Sequence, residues 1–115
     1  VEGGGEVADM TLREICEAAS VTRRAVQVYE EMGLVRPTGK TSRGYLLYDE
    51  DSQKRIMMIR RYQGLGFSLK EVQEIIDASS EAKRKALLDR IEKLKDEGRN
   101  IENQIKVAKE LLEAL

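Results

Sequence analysis

The last third of the chain carries the pattern that most constrains the fold. From residue 87 to residue 115, apolar side chains recur in alternating steps of four and three, the heptad spacing of a coiled coil. A helix over residues 81–115 would be about 50 Å long at 1.5 Å per residue. The rest of the chain offers no helix of comparable length, so a second molecule is needed to bury the stripe. The pattern predicts a homodimer whose interface residues are Leu87, Ile91, Leu94, Ile101, Ile105, Ala108 and Leu112.

Composition narrows the classes of function. The 115 residues include no His and one Cys, which removes most zinc sites, the Ser-His and Cys-His nucleophile pairs, and any internal disulfide. With 36% charged residues, the chain can build a modest core but no deep catalytic cavity. We therefore expect no enzyme, no metal site and no cofactor. No apolar run approaches the roughly 18 residues of a membrane span, so a cytoplasmic protein is expected.

The net charge of −1 conceals an uneven distribution. Residues 20–64 hold nine basic and five acidic groups, whereas residues 1–19 hold one basic and five acidic groups. Only the middle stretch has the charge balance of a surface that meets a polyanion. The excess is moderate, and composition alone fits both a protein that binds nucleic acid and one that does not.

Two short helices and a tight turn open the folded part of the chain. Thr11 and Glu14 have the spacing of a capping box, which starts a first helix. Residues 20–22 interrupt that helix, and Thr22 can cap a second one that ends at Gly33. This order is typical of a helix-turn-helix motif.

A turn-rich basic stretch follows, and it predicts a β-hairpin or wing. Residues 37–44 contain Pro, two Gly and two cations, and the apolar stretches 34–35 and 45–48 flank them. A third helix is predicted from Asp49 to Gly64, and a second capping box at Ser68 and Glu71 starts a fourth. We predict a flexible head over residues 1–10, a winged helix-turn-helix domain over 11–78, and the coiled-coil helix over 81–115. The expected fold class is mainly α.

The stretch from Thr11 to Ile76 resembles the MerR family of bacterial transcription regulators. The resemblance depends on several motifs in the right order, namely residues 21–24 (VTRR), 29–35 (YEEMGLV), 44–48 (GYLLY), 49–51 (DED) and 65–72 (LGFSLKEV). It implies a winged-helix homodimer that binds promoter DNA, inserts its recognition helices into successive major grooves and regulates transcription by distorting the DNA. It also implies RNA polymerase as a further partner.

Carried over residue by residue, the resemblance assigns a set of DNA-binding positions. The start of the second helix would reach bases or phosphates, and cations on the wing and third helix would neutralise phosphates. The aromatic Tyr29 matches a phosphate-binding tyrosine of the family, although its spacing equally fits a core residue. The full set is Thr22, Arg23, Arg24, Gln27, Tyr29, Arg36, Lys40, Arg43, Tyr45 and Arg61.

Three residues depart from the family pattern. Gln27, Leu46 and Gln63 stand where the family commonly carries a cation. Each missing cation should flatten the salt dependence of binding by about 0.9 per phosphate contact. These departures leave open a second hypothesis, a protein-interaction module with the same fold and weakened DNA affinity. A DNA-bending factor of the excisionase type is a third hypothesis, but such factors usually lack so long a coil.

Effector sensing is also constrained by the sequence. Metal-sensing members of the family place cysteines near the far end of the dimer helix, whereas Cys16 lies on the apolar face of the first helix. We interpret it as a small core residue. Drug-sensing members carry a ligand domain after the coil, and whether one belongs to this protein is left open.

Overall fold

The computed structural model describes residues 8–115, so the first seven residues of the predicted head lie outside the described part. The fold is mainly helical, with a small sheet and one long helix at the end, as predicted. The elements in chain order are β1 (Met10–Thr11), α1 (Leu12–Ala19), α2 (Arg23–Glu31), β2 (Gly39–Lys40), β3 (Leu46–Tyr48), α3 (Glu50–Gly64), α4 (Leu69–Ile75) and α5 (Ser80–Glu113).

The chain divides into two compact units. The first ends at Gln73, and the second is Glu74–Leu115. The division falls inside α4, a few residues before the boundary at 78 that the sequence suggested.

The helix starts follow the polar residues that the sequence singled out. The Thr11 hydroxyl accepts from the Glu14 N–H, and the Glu14 carboxylate accepts from the Thr11 N–H at 2.9 Å. The same reciprocal pair joins Ser68 and Glu71 before α4. Each pair satisfies backbone donors that a helix start leaves without intrahelical partners.

The turn between α1 and α2 is tight because one residue adopts a left-handed conformation. Ser20 has φ of 55°, and its N–H donates to the Cys16 carbonyl. The chain then enters α2 through Thr22, whose hydroxyl accepts from the Ala25 N–H at 3.0 Å. This turn sets the angle between the two helices of the helix-turn-helix.

The wing belongs to a three-stranded antiparallel sheet with the strand order β1-β3-β2. In this sheet Met10 pairs with Tyr48, and Lys40 pairs with Leu46. Met10, the last residue of the predicted head, therefore lies in a strand. A strand of two residues has too few positions to show a period-two pattern, so the sequence gives no sign of it.

The core of the first unit lies between α1, α2, β3, α3 and α4. Its buried apolar residues are Ile15, Val26, Tyr29, Leu34, Val35, Tyr48, Ile56, Ile59, Tyr62 and Val72. Two polar side chains of α3 are buried with them. Gln53 donates to the carbonyls of Ala8 and Tyr48 at 2.8 Å each, and the Ser52 hydroxyl donates to the Arg36 carbonyl at 3.1 Å. These bonds join α3 to β3 and to the segments that precede β1 and β2.

The second unit contains α5, a helix of 34 residues that runs unbroken through Gly98. The apolar residues of the predicted seam are largely exposed along the single chain, among them Ile101 and Ile105 at 55% and 49%. Gly98 weakens the helix by about 1 kcal/mol relative to Ala but does not end it. A stripe this exposed on so long a helix calls for a covering surface.

Candidate nucleic-acid interface

The first turn of α2 presents a polar and cationic face to solvent. Arg23, Arg24 and Gln27 are all exposed, while Val26 and Tyr29 on the opposite face are buried. The Arg24 guanidinium donates to the Gln27 amide oxygen at 3.3 Å. A helix that buries one face and exposes basic and amide groups at its start has the layout needed to read base edges.

The wing presents a second cationic surface. Lys40 lies in β2, Arg43 in the turn and Tyr45 just after it, and all three are exposed. Gly44 has φ of +86°, a conformation that L side chains rarely adopt, so the turn depends on glycine. The Thr41 hydroxyl accepts from the Tyr45 N–H at 3.1 Å, which fixes the end of the turn.

Tyr29 differs from the other nine predicted DNA-binding residues, all of which are exposed. Its side chain is 1% exposed, and its hydroxyl donates to the Gln63 amide oxygen at 2.5 Å. Burial raises the pKa of Tyr29, and the nearby Arg60 charge opposes that rise. Of the two interpretations that the sequence allowed, the geometry favours a core residue, because the hydroxyl already has an internal acceptor.

Arg36 and Arg61 sit apart from the α2 face. Arg36 lines a groove together with Glu30, Asp51 and Arg55, so the lining contains both cations and carboxylates. Arg61 is exposed in the last turn of α3. Beside the wing, Arg23 and Tyr45 line a separate cleft, and neither Arg36 nor Arg61 is among the residues that line it.

Arg60, the neighbour of Arg61, was not among the predicted DNA-binding residues. The Arg60 Nε donates to the carbonyl of Ser20 at 3.4 Å, which places an exposed guanidinium beside the turn of the helix-turn-helix. The only sequence signal was the basic pair at 60–61, and it does not say which arginine faces the turn.

Residues 8–115 contain neither a metal-binding cluster nor a membrane-spanning helix. No group of three or more His, Cys, Asp or Glu side chains could hold a metal ion within that range. No helix in it is long and apolar enough to cross a membrane.

A helix-turn-helix with a cationic recognition helix, a basic wing and a long helix with an exposed apolar stripe defines the class of winged helix-turn-helix DNA-binding proteins. Comparison with known protein families supports this assignment to the class. The model of the MerR helix-turn-helix regulatory protein family matches residues 10–79, and a model described as MerR, DNA binding, matches residues 53–115. The chain belongs to the MerR family.

Individual relatives show the same likeness. The chain is 29% identical over 103 residues to the mercuric resistance operon regulatory protein of Bacillus cereus, covering 87% of this chain and 78% of that protein. A crystal structure of a MerR-family transcriptional regulator from Bacillus cereus superposes with a TM-score of 0.71 at 28% identity, covering 86% and 76%. HiNmlR, a MerR-family regulator lacking the sensor domain and solved bound to promoter DNA, has a TM-score of 0.69 at 15% identity, covering 91% and 88%. At that identity the last likeness shows the fold alone.

Proposed function

We propose that this protein is a transcription regulator that binds double-stranded promoter DNA as a homodimer. In this role α2 enters the major groove, the wing contacts the flanking backbone, and α5 pairs with its copy in a second subunit. The observation that carries the proposal is the exposed face of Arg23, Arg24 and Gln27 at the start of α2, in a unit that matches the family.

The charges of the first unit support this role. The cations of the α2 start and of the wing are exposed, as is Arg60 beside the turn. Phosphate contacts by such residues fix the register of a protein on DNA, while the α2 side chains contribute sequence selection. Distortion of the promoter is the family mechanism that we extend to this chain, with RNA polymerase as the further partner. The place of action is then the cytoplasm of a bacterial cell, where the promoters are.

The dimer is supported by the stripe on α5, and the charges beside the stripe favour antiparallel pairing. In a parallel coiled coil, Arg90 would lie beside Lys95 of the partner subunit, and Glu97 beside Glu102 of the partner subunit. Both contacts join like charges. In an antiparallel coil that sets Gly98 opposite Ile101 of the partner subunit, Lys95 lies beside Glu102 of the partner subunit. Opposite charges then meet twice in each dimer.

Selection from a randomised duplex pool, followed by fluorescence anisotropy across a salt series, tests the proposal. We expect a pseudo-palindromic sequence to be enriched, because a two-fold dimer presents two recognition helices. Affinity for that sequence should fall steeply with salt, because phosphate contacts release counterions.

The hypothesis of an interaction module with weakened DNA affinity is not favoured. It was raised by Gln27, Leu46 and Gln63, and two of these, Gln27 and Gln63, form hydrogen bonds with Arg24 and Tyr29. The basic side chains around them remain exposed. Weak binding without sequence preference, even at low salt, would contradict the proposal and restore this alternative.

A further inference from the structure

A cleft of about 520 Å³ opens between the first turn of α1, the start of α2 and the base of the wing. We propose that it seats one phosphate of the DNA backbone, with Arg13 and Arg23 as cationic ligands and the Tyr45 hydroxyl as a further donor. This inference rests on the proposed function and adds Arg13 of α1 to the residues that bind DNA.

The chemistry of the lining points to a phosphate and its sugar. Thr11, Arg13, Arg23 and Tyr45 supply the polar groups, and Leu12 and Leu46 supply apolar surface. Arginine matches phosphate geometry with two parallel N–H donors. The leucines suit the carbon atoms of a deoxyribose, which a bare inorganic anion does not have.

The charge of the cleft distinguishes it from a second groove, the one that Arg36 lines. No acidic residue is among those that line the cleft. The groove that holds Arg36 is lined by Glu30 and Asp51 as well, so its carboxylates compete for its cations. Of these two sites, the cleft beside the wing is the one that offers an anion two arginines without a carboxylate in the lining.

Arg13 can turn toward a phosphate at little cost. Its Nε lies 3.5 Å from a Glu17 carboxylate oxygen, and the two side chains are 80% and 72% exposed. Solvated pairs of this kind are weak, because water screens them and both long side chains must be held in one geometry. The Glu14 carboxylate, on the same turn of α1, is already held by the Thr11 backbone N–H.

The turn of the wing holds Tyr45 at the cleft. Gly44, which precedes Tyr45, lines the cleft and has a positive φ. The Thr41 N–H donates to the Tyr45 carbonyl at 2.8 Å. Tyr45 nevertheless remains 62% exposed, a large aromatic surface with no cover in the single chain. The backbone of Tyr45 is held by hydrogen bonds while its side chain is exposed, and this combination is suited to binding a ligand.

The test measures the salt dependence of binding to a random-sequence 24-base-pair duplex for the wild type and for Arg13→Gln. The control is Lys54→Gln, because Lys54 is also an exposed cation, pairs with Glu50 at 3.8 Å one turn away and lies outside the cleft. We expect Arg13→Gln to flatten the slope of log affinity against log salt by about 0.9 per subunit and to weaken binding roughly tenfold at low salt. Arg13→Lys should keep most of the slope, and Glu17→Gln should tighten binding.

The outcomes are separable. If Arg13→Gln and Lys54→Gln give the same slope as the wild type, the cleft does not seat a phosphate, while the proposed function stands. If the wild type binds no duplex, both the proposed function and this inference fail. Circular dichroism on each variant checks folding, which these exposed positions should not disturb.

Discussion

The Tyr29 hydroxyl donates to the amide oxygen of Gln63 at 2.5 Å, and this bond joins the recognition helix α2 to the end of α3 across 34 residues of sequence. The tyrosine ring is fully buried and the glutamine is half-buried. A buried hydroxyl without an acceptor is costly, so the pair stabilises the position of α2.

Removing either partner should therefore destabilise the first unit. Gln63→Leu should cost about 1–3 kcal/mol of unfolding free energy because it leaves the Tyr29 hydroxyl without its acceptor, and Tyr29→Phe about 1 kcal/mol. The double variant should lose less than the sum of the two, because the bond is lost only once. Urea denaturation measures all three. Strict additivity would show that the two side chains are not energetically coupled.

We expect Gln27→Arg to tighten binding to random-sequence DNA. The new cation adds a phosphate or base contact, and the salt slope should steepen by about 0.9 per subunit. The change also removes the amide oxygen that accepts from Arg24. Gln27→Leu is the matched control, because it releases Arg24 in the same way without adding charge. Anisotropy titration that finds unchanged or weaker affinity for Gln27→Arg would contradict the prediction.

The dimer should dissociate when charge enters the seam of α5. Ile101→Asp combined with Ile105→Asp places two carboxylates per helix on the stripe that the partner covers. Light scattering should then report the mass of one chain, and specific DNA binding should weaken in parallel. A mass that stays dimeric would mean that the stripe is not the interface.

The direction of pairing has its own test. In the antiparallel coil, Lys95→Glu places two carboxylates side by side and should weaken dimerisation several-fold, and adding Glu102→Lys should restore it. In a parallel coil, Lys95→Glu would instead relieve the contact with Arg90 of the partner subunit and strengthen the dimer. Sedimentation equilibrium at low salt distinguishes the two signs.

Cys16 should react slowly in the folded protein. Partial burial raises the pKa of its thiol above the ordinary 9.0, and the Arg23 charge only partly opposes the rise. The folded state therefore favours the neutral thiol over the thiolate. The stability that the neutral thiol contributes is fully present below pH 9, and it is lost as the pH rises through the pKa of the folded state. Alkylation by iodoacetamide at pH 8.5 should be slower than in urea, and slower still in Arg23→Gln. Equal rates in folded and unfolded chains would contradict the shift.

Local signals were enough to predict the helices. Capping residues at Thr11, Thr22, Ser68 and Asp49 start helices where the sequence placed them, because each hydroxyl or carboxylate satisfies a backbone N–H a few residues away. The motif order was enough to predict the family and the exposed cationic positions. None of these inferences required knowledge of a distant contact.

Several features that the sequence did not predict involve contacts between residues far apart in the chain. In the sequence, Gln53 has the appearance of an ordinary polar residue on a helix. In the structure it is buried, and its side-chain amide donates to the carbonyl of Ala8, 45 residues earlier. Arg60 and Arg61 are adjacent in sequence, and only packing shows that Arg60 reaches the turn at Ser20. The buried position of Tyr29 was left open for the same reason.

Local spacing and motif order were sufficient to predict the helix starts, the heptad stripe on α5, the basic middle region and membership of the MerR family, because these features depend on neighbours three or four residues apart or on the order of motifs. Three relationships became visible only in the folded chain: Tyr29 bonds Gln63, Met10 pairs with Tyr48, and Arg13 shares a cleft with Arg23 and Tyr45. Such relationships depend on how helices and strands pack against one another, and spacing along the chain does not encode the distance between side chains that packing brings together.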